Sequence, residues 1–491
     1  MCAGGIEKGG ETAIAIDQGM STIKMVKGRD RMRKIARIIL SVLLCVSLLS
    51  GCAGSNNPTT ESTTSESLST TTTATTQKAE PVTIKFWTQA RGKTQNQGVD
   101  LPQEEWTIIQ MINEYMDENP NVKIEFNYIE DQVTFHQQIK AHALAKDGPD
   151  IANLWAGTYV STLTDILLPL TDYMPQEDLD QINGWESFTH NLASPEDGGI
   201  VYGYPCGGNE LGILVFNRKI ISACGLDFDA NPPKTVDEFT AALETIKGAG
   251  YLPIISADSG YAGIMSFAFG KWWAQNEGYD RLSSNETGKT TFSEDQGLIK
   301  TFTLLQDYYK KGYINKDYAT IADDNRRAKF LAEEAALITD GNWSIQGYID
   351  DMGSENVGIL SLPDLSADVK MPGLQIGGMG QSYVVLNYTK YPQECVDFLS
   401  WLNNRENAIR FGKADSKFPY RLDTTAEDYG YEDPMFERAA ELAINSGVWY
   451  EFAMTPTMVD VVYAYSSQVI TGAMKVEDFT KLLDEKAVEI R

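Results

Sequence analysis

Side chains suited to bond-breaking chemistry are sparse in this 491-residue chain, and flat aromatic ones are plentiful. Only three histidines occur, His136, His142 and His190, and the six-residue step between the first two fits no familiar zinc spacing. Histidine is the side chain best placed for proton transfer near neutral pH, so acid–base catalysis has little to build on. No nucleophile elbow, phosphate-binding P-loop, helix-opening Gly-x-Gly-x-x-Gly or zinc motif appears. Asp and Glu total 68, so their presence alone marks no glycosidase pair, which needs two carboxylates at a set separation. Neither a metal nor a cofactor is expected. Against this stand nine Trp and 23 Tyr. A ring with flat C–H faces and a hydroxyl rim is held by aromatic plates and planar polar groups, so these residues suit reversible stacking. The net charge is −27, which repels phosphate backbones and excludes nucleic acid as a partner.

The N-terminus reads as an address. Residues 31–37 (RMRKIAR) are basic, 38–49 form an apolar run, and Leu49-Ser50-Gly51-Cys52 follows. That order describes a secretory signal. The run is about a dozen residues, short of the roughly 20 that span a bilayer. Leu-Ser-Gly-Cys resembles a bacterial lipobox, which implies cleavage before Cys52 and a lipid on that residue. Residues 1–51 are therefore a leader, and 52–80 a lipidated cysteine plus tether. The segment 55–76 holds 15 Ser or Thr in 22 positions and cannot bury enough surface to offset its ordering entropy. Beyond the leader, 33 basic and 64 acidic residues leave a net charge of −31. Cys206, Cys224 and Cys395 are the other cysteines there, an odd set expected to be free thiols, with a Cys206–Cys224 bridge left open.

From residue 81 strands and helices alternate. Residues 82–87 alternate apolar and polar, and 103–118 place Trp106, Ile109, Ile112 and Met116 at helical spacing. Residues 122–129 alternate again, completing a βαβ unit with parallel strands. A helix is predicted over 133–146 and a short buried strand over 150–155. Residues 211–217 are a strongly apolar strand. Thr235 and Glu238 form a capping box ahead of a helix carrying Val236, Phe239, Leu243 and Ile246 on one face. Residues 335–339, 357–360 and 383–386 are strand candidates, and 392–402 and 476–490 amphipathic helices. The alternation argues α/β layers, and about 410 folded residues argue two lobes.

These elements carry a family pattern. Tyr204-Pro205, then 214–217 (LVFN), then 232–239 (PPKTVDEF) is similar to a stretch of the extracellular solute-binding proteins of sugar-importing ABC transporters. Gly148-Pro149-Asp150-Ile151 with Leu168-Pro169-Leu170, Phe330 through Trp343, Gly377-Gly378-Met379-Gly380, and Gly472 with Val476-Glu477-Asp478-Phe479 resemble further family segments in the same order. The stretch 329–334 lacks the Gly the family usually has there. The resemblance covers essentially all of 81–491. It implies a two-lobed periplasmic-binding-protein-like α/β fold, each lobe a mostly parallel sheet flanked by helices, with a hinge near 206–210. Lobe one would be 81–206 plus 377–445, and lobe two 211–376 plus 446–491.

It also implies a carbohydrate in the interlobe cleft, delivered by a monomer to ABC permease subunits. The protein would sit on the outer face of the bacterial cytoplasmic membrane, held there by its lipid. Trp155 and Trp343 fall where the family stacks sugars, Glu210 where it has a cleft Glu, and Asp258 and Tyr261 in a loop that contacts ligand. Gly378 lies at the second crossing, and Asn153 and Asn342 flank the two tryptophans. Trp87, Gln89 and Arg91 end or follow strand one, and α/β ligands sit at strand C-termini. Trp106 and Trp401 fall on helix faces and are expected in the core, while Trp272, Trp273 and Trp449 fall in segments that often face a cleft. The alternatives are a binding protein for a peptide or polyamine, and a surface glycoside hydrolase.

Overall fold

The computed structural model describes residues 80–89, 101–129, 132–443 and 445–491. Cys52 and Arg91 lie outside them, as do the leader and most of the tether. The described residues belong to one compact unit, Lys78–Arg491.

Among the described residues ten strands build two sheets: β1 (Val82–Thr88), β2 (Val122–Tyr128), β3 (Ile151–Trp155), β4 (Gly203–Pro205), β5 (Asn209–Asn217), β6 (Leu252–Ile255), β7 (Ala335–Gly341), β8 (Val357–Leu360), β9 (Gly377–Met379) and β10 (Gln381–Val385). The first sheet runs β2-β1-β3-β10-β4, and the second runs β6-β7-β5-β8, with β9 pairing the start of β5. The expected βαβ unit forms: β1 and β2 are parallel from Val82↔Val122 to Thr88↔Tyr128, joined through the helix Thr107–Glu118.

The sheets are mixed, not mostly parallel. β10 is antiparallel to β3 and β4, and β5 is antiparallel to β7, β8 and β9. The cause is the crossing. The chain leaves the first sheet at β4 and enters the second as β5; it returns from β9 into β10. Each crossing strand arrives from the other lobe and runs against the neighbours it joins. Gly207 (φ 85°) and Gly208 (φ 130°) make the first passage, in backbone conformations that a Cβ disfavours.

Strand alternation sets the cores. Along β5, Leu211, Ile213 and Val215 join one cluster with Ile255 and Ile338, while Leu214 and Phe216 join another with Ile254, Leu337 and the helices Val236–Gly248, Gln296–Lys310 and Pro456–Ile470. On the first sheet, Ile84 and Phe86 pack with Tyr383, Val385 and the helix Pro392–Leu402, while Ala152, Leu154 and Val384 face Phe135 and Ile139. The helix Pro434–Ala443 falls inside the 377–445 stretch, yet Met435, Phe436 and Ala439 pack beside Leu211 and Ile213 on the second sheet.

Local signals read from sequence act as their chemistry requires. The Thr235 hydroxyl accepts from Glu238 N–H at 3.1 Å, and the Glu238 carboxylate accepts from Lys234 N–H at 2.7 Å. Pro102 opens only a short 3-10 turn. Trp106 then breaks it in an extended conformation before the helix Thr107–Glu118. Cys206, Cys224 and Cys395 are free. Among the described residues no helix is long and apolar enough to cross a membrane.

Candidate ligand site at the seam of the two sheets

The ends of β1 and β3 and the start of β10 meet in register: Gln381 pairs with Trp155, and Tyr383 with Asn153. Asn153 is buried, and its amide N–H donates to Ser382 O at 3.0 Å. Trp155 closes β3 half-buried. Its ring lies 4.7 Å from His136, 5.1 Å from Tyr159 and 6.4 Å from Phe452. Its backbone N–H donates to His136 Nε2 at 2.9 Å. Gly157 (φ 64°) turns the chain directly against Phe452; a Cβ there would sit 2.6 Å from Phe452 Cβ. The Thr158 hydroxyl then donates to Met454 O, tying this loop to the end of the turn Tyr450–Ala453.

A second plate comes from the other sheet. Trp343 follows β7 and folds over Gly341, where a Cβ would lie 2.2 Å from its ring. Phe267 meets it edge-on at 5.4 Å, and Trp449 lies 6.3 Å away at 33°. Lys417 Nζ sits over the ring, 5.4 Å from its centroid, and ion-pairs with Glu210. Burial alone would lower Lys417's pKa, but the Glu210 and Asp415 carboxylates overturn that and hold it above its ordinary value. Gln381 Nε2 donates to the same Glu210 oxygen at 3.4 Å. One chain of contacts therefore joins the plates: Trp155 to Gln381, Glu210, Lys417 and Trp343.

The remaining residues fall in several places. Gly378 (φ 103°) pairs across from Glu210, and a Cβ there would meet Gly447 O at 2.4 Å. Tyr261 meets Phe267 at 5.5 Å and donates its hydroxyl to Asp323. Asp258 begins the same loop, and burial raises its carboxyl pKa. Asn342 holds backbone: it accepts from Leu211 N–H at 2.7 Å and donates to Ser416 O. Trp87 points to the sheet face away from Phe86 and meets His142 edge-on at 5.1 Å. Trp272 and Trp273 are core residues whose indole N–H groups donate to Pro363 O and Asp295. Trp106 and Trp401 pack on the first lobe's core.

Sequence reasoning missed Lys417, Gln381 and Glu451. Glu451 is 5% exposed in the turn Tyr450–Ala453. Burial pushes its pKa up to about 7, against hydrogen bonds from Ser266 and Tyr463 that favour the charged form. Several buried polar atoms have no partner among the described residues: both amide atoms of Gln89, Asn153 Oδ1, Gln381 Oε1 and Trp449 Nε1. Buried groups left so are costly unless something else supplies the bond.

Residues 102–409 match the family described as bacterial extracellular solute-binding protein. An uncharacterized ABC transporter extracellular-binding protein of Pyrococcus horikoshii is 24% identical over 418 residues, 82% of this chain and 86% of that protein. The melibiose/raffinose/stachyose-binding protein of Bacillus subtilis is 25% identical over 275 residues, 51% of this chain and 60% of that one. Among solved structures, a chitin oligosaccharide binding protein superposes with TM-score 0.70 at 21% identity, covering 84% of this chain and 99% of its own. A sugar transporter protein of Bacillus licheniformis in complex with stachyose gives 0.62 at 17%, covering 83% and 100%.

Proposed function

The chain belongs to the bacterial extracellular solute-binding protein family, and on that premise we propose that it captures a neutral sugar or oligosaccharide between its lobes. It hands that ligand unchanged to the permease of an ABC importer. It works as a monomer on the outer face of the cytoplasmic membrane, held by a lipid on Cys52 through the Ser/Thr-rich tether.

The observation that carries this reading is the set of unpartnered polar atoms beside two half-buried tryptophans. Both amide atoms of Gln89, Asn153 Oδ1 and Gln381 Oε1 have no partner among the described residues at one end of the first sheet. Trp155 stands among them, and Trp343 is joined to them through Lys417 and Glu210. A sugar supplies hydroxyls to such amides and flat C–H faces to such plates. A relative named for melibiose, raffinose and stachyose points the same way. Closure of the lobes over the ligand follows from its greater contact with the closed state.

The test is a thermal-shift panel of stachyose, chitotriose, xylotriose and maltotriose against spermidine and a neutral tetrapeptide, with the sugars analysed afterwards. A rise in melting temperature with a sugar, and that sugar recovered intact, is the expected result. A rise with spermidine or the peptide alone points to a different solute. New reducing ends, absent from a blank, point to an enzyme.

A further inference from the structure

Lys417 is 3% exposed, an unusual place for an ammonium group. It lies 207 residues from its partner Glu210, which is itself 6% exposed. The two belong to different parts of the fold. Glu210 is on β5, the strand that carries the chain into the second sheet. Lys417 follows the helix Arg405–Ala414, whose Phe411 packs in the first sheet's core. Neighbouring backbone locks the register: Asn209 and Phe418 exchange hydrogen bonds at 3.1 and 3.0 Å, and Tyr431 donates its hydroxyl to Lys417 O at 2.6 Å. A buried ion pair adds little net stability over an apolar pair of the same shape, because desolvation offsets the attraction. What such a pair supplies is fixed geometry. Here the geometry is an ammonium held over the Trp343 ring.

We propose that Lys417 is a positioning residue of the ligand site: anchored by Glu210, it fixes the orientation of the Trp343 plate. The proposal rests on the sugar-binding reading for its consequence but not for its geometry. An ammonium over an indole face is drawn to the negative ring quadrupole, so it adds a restraint on the ring's tilt to the contacts of Gly341, Phe267 and Trp449. Glu210 then acts on the ligand through Lys417. The pair also links the first crossing to the plate.

Two measurements test this on the full chain. Lys417→Met alone leaves Glu210 buried and unpaired, so the working variant is the double substitution Glu210→Gln with Lys417→Met; Lys417→Arg is the conservative control. In protein labelled with 5-fluorotryptophan, Trp343→Phe assigns the Trp343 fluorine resonance. The double variant should shift or broaden that resonance while those of Trp272 and Trp273 hold, and Lys417→Arg should restore it. A Trp343 resonance unmoved in the double variant overturns the proposal, whatever the protein binds. The second measurement titrates stachyose, chitotriose, xylotriose and maltotriose into a mutant cycle. The double substitution should weaken binding about tenfold with Trp343 present and less than twofold in a Trp343→Ala background. Equal losses in both backgrounds overturn it. If none of these sugars binds the unsubstituted protein, the sugar reading fails, and the fluorine result still decides the positioning claim.

Discussion

Glu451 gives the sharpest test of how the seam is built, because its burial sets a sign and a size. The carboxyl sits among Tyr450, Tyr463, Tyr159 and Ser266, with Asp460 also near Tyr159, and among the described residues it forms no ion pair. Its pKa rises from an ordinary 4.5 to about 7. An acid raised in the folded state is held neutral there. Its contribution is fully present below about pH 4.5 and is lost as pH rises through about 7, because the folded protein must then bury a carboxylate. The rise from 4.5 to about 7 corresponds to about 3 kcal/mol. Glu451→Gln keeps the shape and hydrogen-bonding capacity but removes the charge. Urea melts of both proteins from pH 5 to 8 should give similar stability at pH 5. The substituted protein should be more stable at pH 8, by roughly 1–3 kcal/mol. Parallel curves across that range would refute the reasoning, since a carboxyl free to ionise in both states leaves no gap to open.

Three further outcomes follow from single positions. Trp272→Ala should cost about 3–5 kcal/mol of folding stability, read by denaturant melt, because a fully buried ring leaves a cavity. Gly157→Ala puts a Cβ 2.6 Å from Phe452 at φ 64°, so it should destabilise by about 1–3 kcal/mol in the same assay and weaken ligand binding with it. Cys52→Ala should leave the protein uncleaved or released from membranes in a fractionation blot; normal cleavage and membrane retention would rule out the lipid anchor.

Much of the fold was legible because its signals are local. Thr235 and Glu238 announce a helix start within four residues, and β1 and β2 alternate within seven. Strand direction was not legible. β10 pairs with β3 more than 200 residues away, and nothing in either segment says which way a returning chain will run. The site divides the same way. Trp155 and Trp343 stood out as candidates because one ends a strand and the other follows one, each inside a short family motif. Trp87 also ends a strand, but the pleat turns it to the face covered by the helix Gln132–Ala145, and only the register with neighbouring strands decides that. Asn342 sits beside a plate, yet its amide is spent on the backbones of Leu211 and Ser416, partners distant in sequence. Lys417 gave no signal, since a lysine after a helix reads as solvated until Glu210 is brought against it.

Calorimetric titration of stachyose, chitotriose, xylotriose and maltotriose into the unsubstituted protein and into Trp343→Ala, alongside denaturant melts of both ligand-free forms, bears most directly on the central claim. The account predicts that at least one sugar binds and is recovered unchanged. It predicts that Trp343→Ala weakens that binding by roughly 2–4 kcal/mol, the range of a buried aromatic anchor, while ligand-free stability falls much less. Sugar binding unchanged in Trp343→Ala, with its ligand-free form badly destabilised, would contradict it and return Trp343 to the core.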